Sequence, residues 1–380
     1  MRIGGAWLNY PGTQALCAVL GLAGHRVLFV GGCVRNTLML MPVTDIDLAT
    51  DAVPEVVAEV AKAAGFKVIP TGIDHGTVTV IAGGIHHEIT TFRSDVETDG
   101  RRAVVSFSRN LAEDAARRDF TMNALYAEPS GEIVDPLGGL PDLLAHRVRF
   151  VGEPEQRIRE DYLRILRFFR FHAVYGDPAQ GIDAEGLAAC AALADGVDGL
   201  SRERIGAEMR KLLAARNPAP ALASMAASGV LQHVLPGADP RAIAPLCHLE
   251  ADSPPRWQRR LAVLGGEDPG PHLRLSRQEQ AEIGKIAEAI GSPFTPAALA
   301  WKLGETPGAD VVLARAALLE TPVPPGWRSD LGRGAGSKFP ISAADLMPSL
   351  QGEALGTKLK ELEGRWLSSD LKLTRAALLA

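Results

Sequence analysis

The chain has 380 residues, 46% apolar and 22% charged, which at about 150 residues per domain predicts two or three globular folding units. That composition excludes a disordered or fibrous protein. Forty Lys and Arg against 45 Asp and Glu, a net charge of −5, exclude a protein that coats nucleic acid without specificity, while leaving room for local basic grooves.

Read from the start, residues 1–5 open no charged stretch followed by an apolar run, and no later segment reaches about eighteen consecutive apolar residues. Neither secretion nor membrane insertion is expected. Cys17, Cys33, Cys190 and Cys247 have neither metal-ligand nor redox spacing and predict reduced thiols in a cytoplasmic protein. The first half reads as a mixed α/β domain: 27–30 is a buried strand, Gly31-Gly32 a tight turn, 34–40 the first turns of a helix and 45–49 a second strand. Asp51 can cap the next helix, with Pro54 in its first turn and Gly65 past its end. Strands follow at 66–69, 77–82 and 86–92, the last two joined by Gly83-Gly84 as a two-residue hairpin loop. About five strands in a mixed sheet result, with helices on one face. After residue 150 the period becomes helical, with helices at 154–175, 183–194, 201–215 and 217–227. The Pro- and Gly-rich stretch 321–336 reads as a linker before a helical end segment, 343–379.

Chemistry first gathers at Gly31-Gly32 and Asp45-Ile46-Asp47. Residues two apart on a strand share a face, so Asp45 and Asp47 present paired carboxylates while Ile46 and Leu48 enter the core. Such a pair suits Mg²⁺, which binds one or two carboxylates and completes its shell with substrate phosphates and water. Glycines before a helix let the chain approach those phosphates. Glu88, on the strand 86–92, is the candidate third carboxylate for a two-metal phosphoryl transfer.

A second group, Arg117-Arg118-Asp119-Phe120-Thr121-Met122-Asn123, is backed by Asp135-Pro136-Leu137-Gly138-Gly139. Guanidinium forks beside Asp119 and Asn123 suit phosphate and ribose hydroxyls. The third group runs from Glu160 to Arg170. At about 100° per residue, Ile158, Ile165, Phe168, Phe169 and His172 gather on one side of a continuous helix, and Arg164, Arg167 and Arg170 span an arc opposite. Arginines on one face repel unless an anion compensates, and only Glu160 lies on that arc within the helix. A triphosphate suits the missing charge; a solvated basic face is the other reading. Asp161 and Arg164, side by side, suit the hydrogen-bonding edge of a base.

Together these blocks resemble the class II tRNA nucleotidyltransferases and bacterial poly(A) polymerases of the polymerase-β-like superfamily. The match is carried by Gly31-Gly32-Cys33-Val34-Arg35-Asn36 through Asp45-Ile46-Asp47, Arg117 to Leu125, Asp135 to Gly139, and Glu160 to Arg170. The resemblance implies an α+β protein: a nucleotidyltransferase head at 1–150, then an all-helical neck that selects the base at 151–216, a body at 217–320 and a tail that contacts tRNA at 321–380. It implies that Asp45 and Asp47 hold Mg²⁺ with Glu88 as a third catalytic carboxylate. It further implies that Gly31, Gly32, Arg35, Arg118, Asp119, Asn123, Arg167 and Arg170 contact the nucleotide, and that Asp161 and Arg164 read the base of CTP or ATP. The family usually has Asp where this chain has Asn36, and residues 95–107, with Arg101-Arg102, fall where it keeps a mobile loop.

The activity so implied is template-independent addition of C, C and A to the 3′ end of tRNA. Adding only CC, only A, or a poly(A) tail remains open, because these activities share the motifs. A catalytically inactive RNA-binding homologue is disfavoured by the presence of both metal-site aspartates. RNA contacts are expected from Arg202, Arg204, Arg210, Lys211 and Arg216, and from Lys358, Lys360, Arg365 and Lys372.

Overall fold

The computed structural model describes residues 1–70, 72–73, 76–99, 102–250, 252–347 and 349–380; Arg101 lies outside them. Two compact units divide the chain, Met1–Leu200 and Ser201–Ala380.

In the first unit, α1 (Pro11–Leu22) leads into β1 (Val27–Val30), α2 (Gly32–Leu38), β2 (Ile46–Thr50) and α3 (Pro54–Ala63). Next come β3 (Lys67–Ile69), β4 (Thr77–Ala82) and β5 (Ile85–Thr91), then the ribbon β6 (Arg93–Asp99) with β7 (Arg102–Phe107), which takes up most of the segment 95–107. After α4 (Leu111–Ala116) and a 3-10 turn (Thr121–Asn123) follow β8 (Tyr126–Ala127), β9 (Ile133–Val134), α5 (Leu140–Leu144), α6 (Pro154–Glu160), α7 (Leu163–Tyr175) and α8 (Ala184–Ala192). The sheet has seven strands in the order β3-β4-β5-β2-β1-β8-β9. All five expected strands are present. The two additions, β8 and β9, are two residues each, too short to show a hydrophobic period.

Neighbouring strands are antiparallel except β2 and β5, which run parallel. Gly83 and Gly84 both have positive φ, 59° and 85°, as a two-residue hairpin with a right-handed twist requires. Helices α1 and α3 contact β4 and β5, and on that side the His87 ring meets the Thr13 hydroxyl at 2.8 Å. Leu28, Val30 and Ala49 pack on the other face, with Ala115, Ala124 and Tyr126. By strand alternation Asp47, two residues before Ala49, lies on that second face.

The continuous helix expected at 154–175 is in fact two, because Asp161 is extended (φ −155°, ψ 104°) and its carboxylate accepts from the backbone N–H of Leu163. Tyr162 packs against Gly196, where a Cβ would lie 1.9 Å from the ring. Side-chain capping and ring docking therefore override the apolar period that spans the break.

The second unit begins with α9 (Arg202–Leu213) and continues through helices to Arg375–Leu379. Part of the expected linker 321–336 is a helix, Trp327–Gly336, with Trp327 and Leu331 buried. Its glycines serve contact rather than flexibility: a Cβ on Gly334 would lie 2.1 Å from the Ala297 carbonyl oxygen. No helix among the described residues is long and apolar enough to cross a membrane. All four cysteines are free thiols.

Candidate active site

The parallel pairing of β2 and β5 puts Asp47 directly opposite Glu88. Asp45 stands one residue before β2, so the three expected carboxylates converge. They line a cleft of about 520 Å³ together with Thr79 and His86. Asp47 is half-buried, and its pKa is pushed up to about 6, first by burial and then by the negative charges of Glu88 and Asp45. Arg118 and Arg35 oppose the shift, so both guanidiniums act on the cleft. Like charges held together at a half-buried edge favour a proton or a cation. No group of three or more His, Cys, Asp or Glu among the described residues is arranged to hold a metal ion alone. Two or three carboxylates at one edge suit a divalent cation whose shell is completed by phosphate oxygens and water.

The glycine turn faces the second block. Gly31 has a φ of 67°, which glycine adopts without strain, and a Cβ there would meet the Asn123 and Arg118 side chains at 3.6 and 3.7 Å. Arg118 is held by Asp114 at 3.0 Å and by the Tyr126 hydroxyl at 2.9 Å, and that hydroxyl in turn donates to Asp114 at 2.7 Å. Burial alone would raise the pKa of Asp114, yet Arg118 and Arg117 bring it below the usual range. Asp114 stands three and four residues before these arginines, a helical spacing legible in the sequence. Tyr126 gave no such signal.

Asp119 turns inward. It pairs with Arg167 and accepts from the Asn123 amide at 3.0 Å. Arg167, for whose charge the sequence offered a triphosphate or solvent, is met in the structure by this buried carboxylate 48 residues away. Arg35 is 6% exposed and pairs with no carboxylate within ion-pair distance among the described residues. Its partners are neutral: the side-chain oxygens of Asn123 at 2.7 Å and Asn36 at 2.9 Å and the Tyr175 hydroxyl at 2.7 Å. The amide of Asn36 donates to the Pro42 carbonyl at 2.9 Å, a bond that an ionised Asp could not make.

Arg164 donates to Glu160 at 2.5 Å and to the carbonyls of Arg157 and Arg117 at 2.7 and 3.2 Å. Glu160 also pairs with Arg157, which reaches back to the carbonyls of Arg117 and Arg118. The break between α6 and α7 therefore sets Asp161 and Arg164 beside the Arg117-Arg118 block. Arg170 lies over the Phe171 ring at 4.7 Å, with Arg35 and Arg167 at 5.1 and 5.3 Å from the same ring. The Asp135-to-Gly139 block is a support: Asp135 accepts from the N–H groups of Gly139 and Leu140. A Cβ on Gly139 would lie 2.3 Å from the Thr121 carbonyl oxygen.

Residues 27–149 match the family described as the poly A polymerase head domain, and residues 181–241 one described as a probable RNA and SrmB-binding site of polymerase A. A CCA-adding enzyme of Geobacillus thermodenitrificans is 34% identical over 367 residues, covering 95% of this chain and 84% of that protein. The mitochondrial CCA tRNA nucleotidyltransferase 1 of Homo sapiens is 42% identical over 203 residues, and the match spans 53% of this chain and about half, 47%, of the human protein. Among solved structures, the Bacillus stearothermophilus CCA-adding enzyme in complex with CTP superposes with a TM-score of 0.74 at 30% identity, covering 95% of this chain and 93% of that one.

Proposed function

Because the chain belongs to the class II family of CCA-adding tRNA nucleotidyltransferases and bacterial poly(A) polymerases, we propose that it adds C, C and A to the 3′ end of tRNA from CTP and ATP without a template. The observation that carries this reading is the register that sets Asp47 against Glu88, next to Asp45, in a cleft on which Arg35 and Arg118 also act.

In this reading the tRNA 3′ hydroxyl attacks the α-phosphorus of the bound nucleotide. A P–O bond forms to the tRNA, the bond to the β-phosphate oxygen breaks, and pyrophosphate leaves with the electron pair. Asp45 and Asp47 would hold Mg²⁺ together with the triphosphate oxygens, and the metal would supply charge stabilisation to the entering and leaving oxygens. Glu88 faces the same cleft, and one of these carboxylates would receive the proton of the attacking hydroxyl. Gly31 and Gly32 leave room for the triphosphate, and Arg118, fixed by Asp114 and Tyr126, meets it with a preset fork. Asp119 aligns Arg167 for phosphate or ribose, with Arg170 beside it on α7. Asp161 and Arg164 present an acceptor and donors to a base edge, Arg164 steadied by Glu160.

Units 1–150 as head, 151–216 as neck, 217–320 as body and 321–380 as tail remain the division of labour we favour, with the tail and the basic face of α9 toward tRNA. The test supplies purified protein and Mg²⁺ with tRNA ending before, within or after CC, and with labelled CTP or ATP. Stepwise addition of two C residues and one A is expected. Addition of A alone, of CC alone or of a long A tail would replace the assignment by the corresponding narrower activity, and no incorporation into any tRNA would sink the enzyme reading.

A further inference from the structure

One side chain outside the motif blocks makes two separate contacts with the buried Arg35. Tyr175 stands at the end of α7, 8% exposed. Its hydroxyl accepts from Arg35 at 2.7 Å, and its ring lies 4.1 Å from the guanidinium carbon, the shortest of the cation–π distances in this cluster. A buried guanidinium without a carboxylate is held in place by whatever neutral acceptors and aromatic faces surround it. Burial lowers the pKa of Arg35, and Tyr175 and the more distant charge of Asp119 oppose that shift. Asn36 and Asn123 supply the other acceptors, but they belong to α2 and to the turn beside it. Tyr175 supplies the hydrogen bond that crosses to α7, the helix of Arg164, Arg167 and Arg170, and its ring lies nearer the guanidinium than that of Phe171 on the same helix, 4.1 against 5.1 Å.

We infer that Tyr175 is a positioning residue for nucleotide binding, whose hydroxyl and ring latch Arg35 and so register α7 on the Gly31-Gly32 turn. Arg35 sits against that turn: a Cβ on Gly32 would be 3.8 Å from its Nη2. Of its five N–H bonds, four are taken by Asn36, Asn123 and Tyr175, and one on Nη1 has no partner among the described residues and would serve a ligand. The latch acts on the polyphosphate end of the nucleotide rather than on the base, because the candidate base readers Asp161 and Arg164 are held separately by Leu163, Glu160 and Arg117.

This inference rests on the nucleotidyltransferase reading, and its test separates the two. Equilibrium binding of CTP and of ATP to the full chain without tRNA is measured for wild type, Tyr175→Phe and Tyr175→Leu, alongside melting temperature and the kcat and KM of incorporation. Losing a hydrogen bond to a charged group together with the ring face should weaken both nucleotides about tenfold in Tyr175→Leu. Tyr175→Phe keeps the ring and should lose about threefold. KM should follow binding, with kcat within about twofold. Wild-type affinity in Tyr175→Leu, or loss of one nucleotide only, overturns the latch. Should the Leu variant fail to fold, the cycle of Tyr175→Phe with Arg35→Lys decides: coupled losses support the latch and additive losses overturn it. If wild-type protein incorporates neither nucleotide, the reaction assignment fails while the binding series still decides the latch.

Discussion

Two clusters of charged side chains, one in each unit, are built on opposite plans. In the second unit Glu250, Arg259, Arg260 and Asp310 are between 0% and 3% exposed, and their charges alternate. Glu250 accepts from Arg259 at 2.6 Å and Arg260 at 2.9 Å, Asp310 accepts from Arg259 at 2.9 Å, and Arg260 also donates to the Leu213 carbonyl at 2.6 Å. In the first unit Asp45, Asp47 and Glu88 carry the same sign at the edge of a cleft, and the pKa of Asp47 rises in response. Charges that satisfy one another hold a fold; charges of one sign pressed together favour a cation or a proton between them.

The contrast is broken most sharply by neutralising one member of each cluster. Asp47→Asn should lower incorporation into tRNA by about a thousandfold or more, since a group that positions metal and phosphate is worth several powers of ten in rate. Its melting temperature should equal or exceed that of wild type, because the substitution removes repulsion with Glu88 and Asp45. A fall in stability instead would make the carboxylates structural. Glu250→Ala should do the reverse. It leaves two buried guanidiniums short of their shared carboxylate, at a cost of about 3–5 kcal/mol, read by denaturant unfolding. In protein that is still folded, nucleotide affinity should be unchanged.

How far each cluster could be read from the sequence follows from the same contrast. Asp45 and Asp47 were legible because a strand has a period of two, and Glu88 only as a carboxylate on the strand read at 86–92. The register that joins them needed only a parallel pairing. The Asp119–Arg167 pair was not legible, since its members are 48 residues apart and the sequence offered a ligand as the nearer explanation. The break at Asp161 was hidden because the apolar positions on either side keep helical phase. Glycine-rich composition misled at 327–336, where Gly334 permits two helices to touch. In each case a contact distant in sequence overrode a local pattern.

The pH dependence sharpens the comparison more gently. Asp47 has its pKa raised from 3.8 to about 6, so the folded protein holds this proton more tightly than the unfolded chain does. Its contribution to stability is therefore complete below about pH 4 and is lost as pH rises through about 6. Without divalent cations, the advantage in melting temperature of Asp47→Asn over wild type should grow between pH 4 and pH 7. Millimolar Mg²⁺ with CTP should shrink that advantage by favouring the ionised carboxylate. An advantage that does not change with pH would mean that neither burial nor the charges of Glu88 and Asp45 raise the pKa of Asp47.

The smallest expected effect lies in the loop that leads to Asp45. Helix α2 ends with the Met41 N–H donating to the Asn36 carbonyl at 2.8 Å and the Leu40 N–H to the Thr37 carbonyl at 3.1 Å, the paired bonds of a Schellman motif. The residue between the helix end and Met41 must be left-handed, and here it is Leu40, with a φ of 55° and 95% exposure. A leucine in that conformation costs roughly 1–2 kcal/mol, and its exposed side chain recovers little through packing. Leu40→Gly removes the strain but frees the unfolded chain, a cost of roughly 0.5–1 kcal/mol. The net expectation is a gain of at most about 1 kcal/mol, seen as a higher denaturation midpoint with unchanged m-value and unchanged incorporation rate. A stability loss would mean that Leu40 is covered in solution. A rate loss at equal stability would mean that the strain is held for the sake of Asp45, which would make this loop part of the first cluster rather than its support.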